Sequence, residues 1–447
     1  LPSLLFIFQL DFWKYSFIIT GVECLLLLLV WFLPHLSHTK KFVISIITCV
    51  GFFLCIVFLF SFNTPITDDY FALLDWAVRL KTNGDTFGEL VVPYNESRIV
   101  FARSIVLLDL YLFKELNFTH LIFVAVIGLL LIAFLFIREV KDNLCVALSI
   151  VFLLFQFQYY DSILWANSAL QNVWSLLFGM FAIKLLLSNK QSHFSFLIAV
   201  VVITVFTYGN GFCLIPIILV YQLIQKRFFR AAILSGVSVL IIVLYFNNFT
   251  SLASNALWQK TMLNLIPFSL VFLGSSFQFM YQMYLPVVFG ALIYVCLILM
   301  LKVKFYKTNP FIFLVLVYVL LCSLMAGYFR SSREVIEWMS VRYGIYSVLA
   351  VICCVIFLFK TYPLFRNKGA KYLLAASIIF HFASNFFFFP EVVLRKQKLQ
   401  IFTQSLCNPD AIWTAPPVIP FSARKILQKA TSEGIYITPQ LSTDSCR

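Results

Sequence analysis

The sequence predicts an all-α polytopic membrane protein, and three observations predict it. Of 447 residues, 62% are hydrophobic and only 12% charged, with a mean hydropathy of +0.95, far outside the soluble globular range. Apolar runs of about 20 residues, the length a helix needs to cross a bilayer, recur from the start of the chain to about residue 389. The 52 Phe and 20 Tyr do not follow the ten-residue alternation of a membrane β-barrel, so each segment reads as helix. About twelve crossings are expected, within roughly ten to thirteen, in a transmembrane domain over 1–389. A polar, Pro-rich external cap over 390–447 follows it.

The first two spans, 15–34 and 42–62, are joined by the basic turn HLSHTKK. A long polar insertion, 63–117, then interrupts the series. Within it, 69–81 places Phe71, Leu74 and Val78 at helical spacing among Asp75, Arg79 and Lys81, and 98–116 is a second helical stretch. Both are too short and too charged to span, so two helices lying at the outer interface are expected. Further crossings fall at 121–137, 144–157, 173–187, 194–208, 212–224 and 231–246, with the Gly- and Asn-bearing TYGNGF at 207–212 read as a tight turn. Residues 267–279 read as a re-entrant or interfacial piece, and the last spans are 285–301, 311–328, 341–359 and 372–389.

The net charge of +14 reports orientation here, not a nucleic-acid partner. Six short turns, at 35–41, 138–142, 184–193, 226–230, 302–307 and 360–371, carry 16 of the 33 Lys and Arg and belong on the cytoplasmic side. The 63–117 loop, with five basic against eight acidic residues, then faces out. Nine of the eleven cysteines sit in apolar segments as small hydrophobes. The other two, Cys407 and Cys446, fall in the tail as candidates for a disulfide.

Chemistry is expected in the long loop. Adjacent carboxylates just outside a membrane helix are costly unless solvated or paired, and Asp68 and Asp69 open the loop as candidates for a general base, one facing a cavity and the other capping the helix that follows. Arg98 and Arg103 in this loop, with Arg330, Arg333 and Arg342 in the later RSSREVIEWMSVRY loop, form a basic set suited to holding a phosphate. Their plainer reading is pairing with Glu96, Glu334 and Glu337 or snorkelling to lipid. The stretch 156–172 supplies Tyr159, Tyr160, Asp161, Trp165 and Asn167, an aromatic and amide set for a sugar or acceptor, with Glu96 a further candidate; an interfacial aromatic belt explains the same aromatics. The five histidines are dispersed, so no metal site or cofactor is predicted. Glu23, inside the first span, reads as a proton relay or a buried pair partner. No Walker loop, GxSxG or dinucleotide fingerprint is present, which removes support for ATP-driven transport.

A helix leading into an external loop that begins Asp-Asp, two interfacial helices and then many crossings resembles the polytopic glycosyltransferases of the C-type fold. NESRIVFAR at 95–103, SVRY at 340–343 and the closing GIYITP resemble a broad group of bacterial multispan proteins, in which the first motif often reads NEHRxxFPR; here Ser97 replaces the His and Ala102 the Pro. The resemblance implies sugar transfer on the periplasmic face of a bacterial plasma membrane, from a polyprenyl-phosphate-linked donor to a glycan or lipid acceptor of the cell envelope. It makes Asp68 or Asp69 the base and the arginines the phosphate ligands; some members of the class need a divalent metal. A flippase or transporter of an anionic or lipid-linked sugar, and a non-catalytic envelope scaffold, are the alternatives.

Overall fold

In a computed structural model, the structure describes residues 10–95, 97–188, 190–247, 258–279, 283–331, 341–366, 369–406 and 421–439. Among them every regular element is helical, the single β feature being a bridge between Tyr94 and Ser97. Among the described residues nine helices are long and apolar enough to cross a membrane. They are Trp13–Phe32, His38–Phe60, Phe118–Glu139, Ala166–Leu187, Phe228–Phe246, Tyr284–Lys302, Pro310–Arg330, Val341–Thr361 and Gly369–Thr403. Of four shorter apolar helices among the described residues, Leu144–Leu154, Ser192–Thr207 and Gly209–Ile224 fall where further crossings are expected, and Met262–Leu273 overlaps the piece read as re-entrant or interfacial. The chain is a multi-pass helical membrane protein.

The Ala166–Leu187 helix lies at the centre, packed against Phe118–Glu139, Ser192–Thr207 and Pro310–Arg330. Its length separates two chemically different ends. At its C-terminal end Lys184 pairs with Glu139, which also faces Lys360 at 3.7 Å, while Asn309 accepts from Lys360 at 2.8 Å. These groups sit beside the basic turns, about 26 Å along the helix from Asn167 at its start. Two other helices touch backbone to backbone. A side chain on Gly274 would collide with the Pro286 carbonyl, and one on Gly290 with the Leu270 carbonyl, so Trp258–Leu273 and Tyr284–Lys302 form a hairpin that small residues permit.

The 63–117 insertion folds as a π-helical turn Tyr70–Leu74 running into Asp75–Asn83, then Thr86–Val91 and Val100–Phe113. Val100–Phe113 is two-sided, with Leu108, Tyr111, Leu112 and Phe113 exposed and Ala102, Arg103, Val106 and Asp109 buried. The first helix does not lie on a surface. Tyr70, Leu73, Leu74, Trp76, Ala77 and Val78 are buried, because the tail helix Phe421–Ser432 packs over them. Three backbone contacts tie the tail down: Tyr436 Oη donates to the Asn63 carbonyl at 2.6 Å, the Leu116 amide donates to the Ile435 carbonyl at 2.7 Å, and Lys81 donates to the Glu433 carbonyl.

The break expected at Pro390 is absent. Gly369–Leu406 continues through it as one helix, although proline has no N–H to give the Phe386 carbonyl four residues earlier. Ser16 on the first helix supplies the missing donor, its hydroxyl reaching that carbonyl at 2.9 Å. Cys407 and Cys446 lie outside the described residues.

Candidate functional site

The two adjacent carboxylates have separate environments. Thr67 adopts a left-handed backbone with φ of 41°, and the chain turns so that Asp69 points inward and Asp68 into a cavity. Asp69 is fully buried. Its Oδ2 accepts from the Ile66 amide at 3.0 Å, and its Oδ1 accepts from Trp165 Nε1 at 3.2 Å and the Asn167 amide at 3.0 Å. Asn167 is the second residue of the Ala166–Leu187 helix, and the residue before that helix, Trp165, gives it no side-chain cap. Asp69 thus does cap a helix, but a distant one and not the one it precedes. Burial pushes its pKa up to about 7, against the Asn167 and Ile66 amides, which favour the charged form, and with a further upward push from Asp68.

Asp68 is half-buried and accepts from Tyr94 Oη at 3.0 Å. Burial, then the Asp68 charge, push the Tyr94 phenol well above its usual range, so Tyr94 stays a donor. Two backbone hydrogen bonds, at 2.8 and 3.0 Å, pair Tyr94 with Ser97, and Tyr94 and Asn95 both line the cavity.

That cavity gathers Asp68, Tyr94, Asn95, Ser97, Trp165, Asn167, Ser168, Gln171, Asn172, Tyr208, Arg330 and Arg342. Two guanidinium groups therefore share its wall with one carboxylate. Arg330 donates to Tyr343 Oη, and its Cζ lies 5.6 Å from that ring's centre; the Cζ of Arg342 lies 5.5 Å from the same ring and 5.7 Å from Trp165. Arg342 Nε has no hydrogen-bond partner among the described residues. The amides are held by one another: Gln171 Nε2 donates to Asn167 Oδ1 at 2.7 Å, Asn172 Nδ2 to the Ser168 carbonyl at 2.8 Å, and Tyr346 Oη to Asn172 Oδ1 at 3.2 Å. Asn210 Nδ2 in turn donates to Tyr346 Oη at 3.0 Å. A second, more apolar cavity adjoins the first, sharing Ser97, Tyr208 and Arg330 and adding Phe212, Tyr245, Phe246, Met325, Ala326 and Phe329.

Of the residues singled out from sequence, Asp68, Trp165, Asn167, Arg330 and Arg342 meet at this cavity, with Asp69 directly behind it. Arg98 and Arg103 do not reach it. Arg98 is buried against backbone oxygens, its Nε donating to the Tyr245 carbonyl at 2.7 Å and its two Nη groups to the Val91 and Asn247 carbonyls. Arg103 donates to the carbonyls of Glu89, Leu90 and Val92, closing the end of the Thr86–Val91 helix, and lies over Trp76 at 5.5 Å. Burial, with the nearby Arg79 charge, lowers the Arg103 pKa to about 10. These two are corrected from phosphate ligands to cross-links of the loop. Tyr159 is buried with its hydroxyl on the Leu154 carbonyl, and Asp161 pairs with Arg395, which also lies over Tyr160. None of the three lines the cavity. Glu96 and Arg333 lie outside the described residues.

Several lining residues were not singled out. Ser168, Gln171 and Asn172 follow Asn167 at helical spacing, and this polar stripe on an apolar helix is readable in the sequence. In the stretch read as a plain turn, Gly209–Cys213 instead forms a 3₁₀ segment; Tyr208, just before it, lines both cavities, and Asn210 lines the apolar one. Comparison with protein-family models, with curated proteins and with solved structures finds no match to this chain.

Proposed function

We propose that this chain is a membrane glycosyltransferase that moves a sugar from a polyprenyl-phosphate-linked donor to a glycan or lipid acceptor. One observation carries the reading: Asp68 shares a polar cavity with Arg330 and Arg342, and Arg330 also lines the adjoining apolar cavity. Such an arrangement suits an amphipathic donor, with its phosphate at Arg330, its sugar among the amides of Asn167, Gln171 and Asn172, and its chain along Phe212, Phe246 and Phe329.

In the reaction an acceptor hydroxyl attacks the anomeric carbon as Asp68 takes its proton. The bond between that carbon and the donor phosphate oxygen breaks, and the electron pair leaves with the polyprenyl phosphate. Arg330 and Arg342 stabilise the charge that grows on the departing phosphate. Tyr94 orients Asp68 by its hydrogen bond, so the carboxylate faces the acceptor with one oxygen already engaged.

The test uses the purified protein in lipid vesicles, supplied with radiolabelled polyprenyl-phosphate sugars and candidate acceptors. The wild type should form labelled product, and Asp68→Asn should reduce transfer at least ~100-fold, the lower range for loss of a general base. Undiminished transfer by Asp68→Asn would end the base assignment. Passage of label across the bilayer without product would replace the enzyme with a flippase.

A further inference from the structure

Away from the cavity, the first, second and last long helices bring together a glutamate, a cysteine and a histidine. Glu23 and Cys49 lie near the midpoints of their spans, and His381 is on Gly369–Leu406. All three are buried, and their ligand atoms lie within 4.8 Å of one another. Nothing in the proposed transfer chemistry uses them.

The histidine is oriented as a ligand would be. Its Nδ1 lies 3.0 Å from the Phe152 carbonyl, which can only accept, so Nδ1 carries the proton and Nε2 faces Glu23 Oε1 at 2.8 Å. A carbonyl on the outer nitrogen is the support that metal-binding imidazoles commonly have. Asn385 braces both groups: its Nδ2 donates to Glu23 Oε2 at 3.1 Å and lies 3.0 Å from His381 Nε2, a contact the metal would take over, while its Oδ1 accepts from the Phe157 amide at 3.1 Å. A hydrogen-bonded Glu–His pair accounts for these contacts without Cys49, whose thiol, in no disulfide, borders the pair.

We propose that Glu23, Cys49 and His381 form a zinc-class metal site that ties the first two long helices to the last. Sulfur, nitrogen and oxygen donors together suit zinc, whose bonds of about 2.0–2.3 Å place tetrahedral ligand atoms roughly 3.3–3.7 Å apart. The pair at 2.8 Å has to widen and the thiol to draw in, each by about an ångström or less. Charge favours the exchange: a dication bound by one thiolate, one carboxylate and a neutral imidazole is electrically neutral, as a group inside a membrane bundle needs to be. Two protons leave to solvent when the metal enters, one from the thiol and one from the Glu–His pair.

The full chain, purified in lipid nanodiscs without a polyhistidine tag, should contain about one zinc per chain by mass spectrometry. After the zinc is stripped, titration with Co²⁺ should give a thiolate-to-cobalt charge-transfer band. Cys49→Ser should abolish that band and lower zinc content at least ~10-fold, whereas Cys24→Ser, on the first helix outside the cluster, should keep both. A wild-type chain that binds neither zinc nor Co²⁺ overturns the proposal and leaves a Glu–His hydrogen bond only. So does a band that survives in Cys49→Ser. The wild-type titration decides the matter even if the Cys49 variant does not fold.

Discussion

The Asp69 carboxylate accepts from the Asn167 amide at 3.0 Å across 98 residues of sequence, so the start of the central helix is capped from the external loop. Everything at the cavity depends on that placement. Trp165, Asn167, Ser168, Gln171 and Asn172 all project from the first turns of this helix or just before it. Asp68 and Asp69 thus divide the work between them, one facing the cavity and one holding the wall of the cavity in place.

This division predicts opposite behaviour for the two amide variants. Asp68→Asn should leave the melting temperature within about 1 °C of wild type, since it removes a charge from a half-buried, solvent-facing carboxylate. Asp69→Asn should cost about 1–3 kcal/mol, because its amide nitrogen opposes an N–H donor in a site built from donors. Thermal melting of both variants in the same detergent decides it; equal melting temperatures would show that Asp69 holds nothing.

The cost of Asp69→Asn should also depend on pH, with a definite sign. The carboxyl's pKa rises from 3.8 when unfolded to about 7 when folded. Between these values the native state holds a proton that the unfolded state has lost, so stability from this group falls as pH rises through that window. The gap between wild type and Asp69→Asn should therefore be widest below about pH 4, still wide at pH 5, narrow towards pH 7 and stay constant above it. Melting curves at pH 5, 6, 7 and 8 measure the gap, and a gap that widens with pH would contradict the burial argument.

Ser16 and Pro390 give a prediction that a double-mutant cycle isolates. Ser16→Ala strips the Phe386 carbonyl of its donor and should cost about 1–2 kcal/mol in the wild type. With Pro390→Ala the backbone N–H returns and can bond that carbonyl itself, so Ser16→Ala should then cost only a few tenths of a kcal/mol. Equal costs in both backgrounds would mean that Ser16 does not compensate the proline.

What the sequence reveals follows from what each residue must meet. The apolar runs announce membrane helices because a bilayer tolerates nothing else at that length. The polar stripe Asn167, Ser168, Gln171, Asn172 is legible for the same reason, since amides on a buried face require partners. Arg98 and Arg103 are a different case. Their partners are backbone carbonyls of Val91, Tyr245, Glu89 and Val92, and a carbonyl is present at every position, so no side-chain type in the sequence signals the contact. Pro390 is misread as a break because the hydroxyl that makes it tolerable sits more than 370 residues away.

The arginines provide the last and sharpest contrast. Arg103 is buried, with its guanidinium on three carbonyls at the end of one short helix and its face on Trp76. Arg103→Ala should leave those oxygens unpaired and cost about 3 kcal/mol or more. Arg342 borders the cavity, with Nε unpaired among the described residues. Arg342→Ala should therefore spare the melting temperature and lower transfer at least ~10-fold, with Arg342→Lys recovering part of the loss, because a lysine restores the charge but not the planar fork. Melting and transfer assays on the same preparations separate the two effects. If Arg342→Ala unfolds the protein while Arg103→Ala only slows transfer, the assignment of one arginine to the scaffold and the other to the phosphate is reversed.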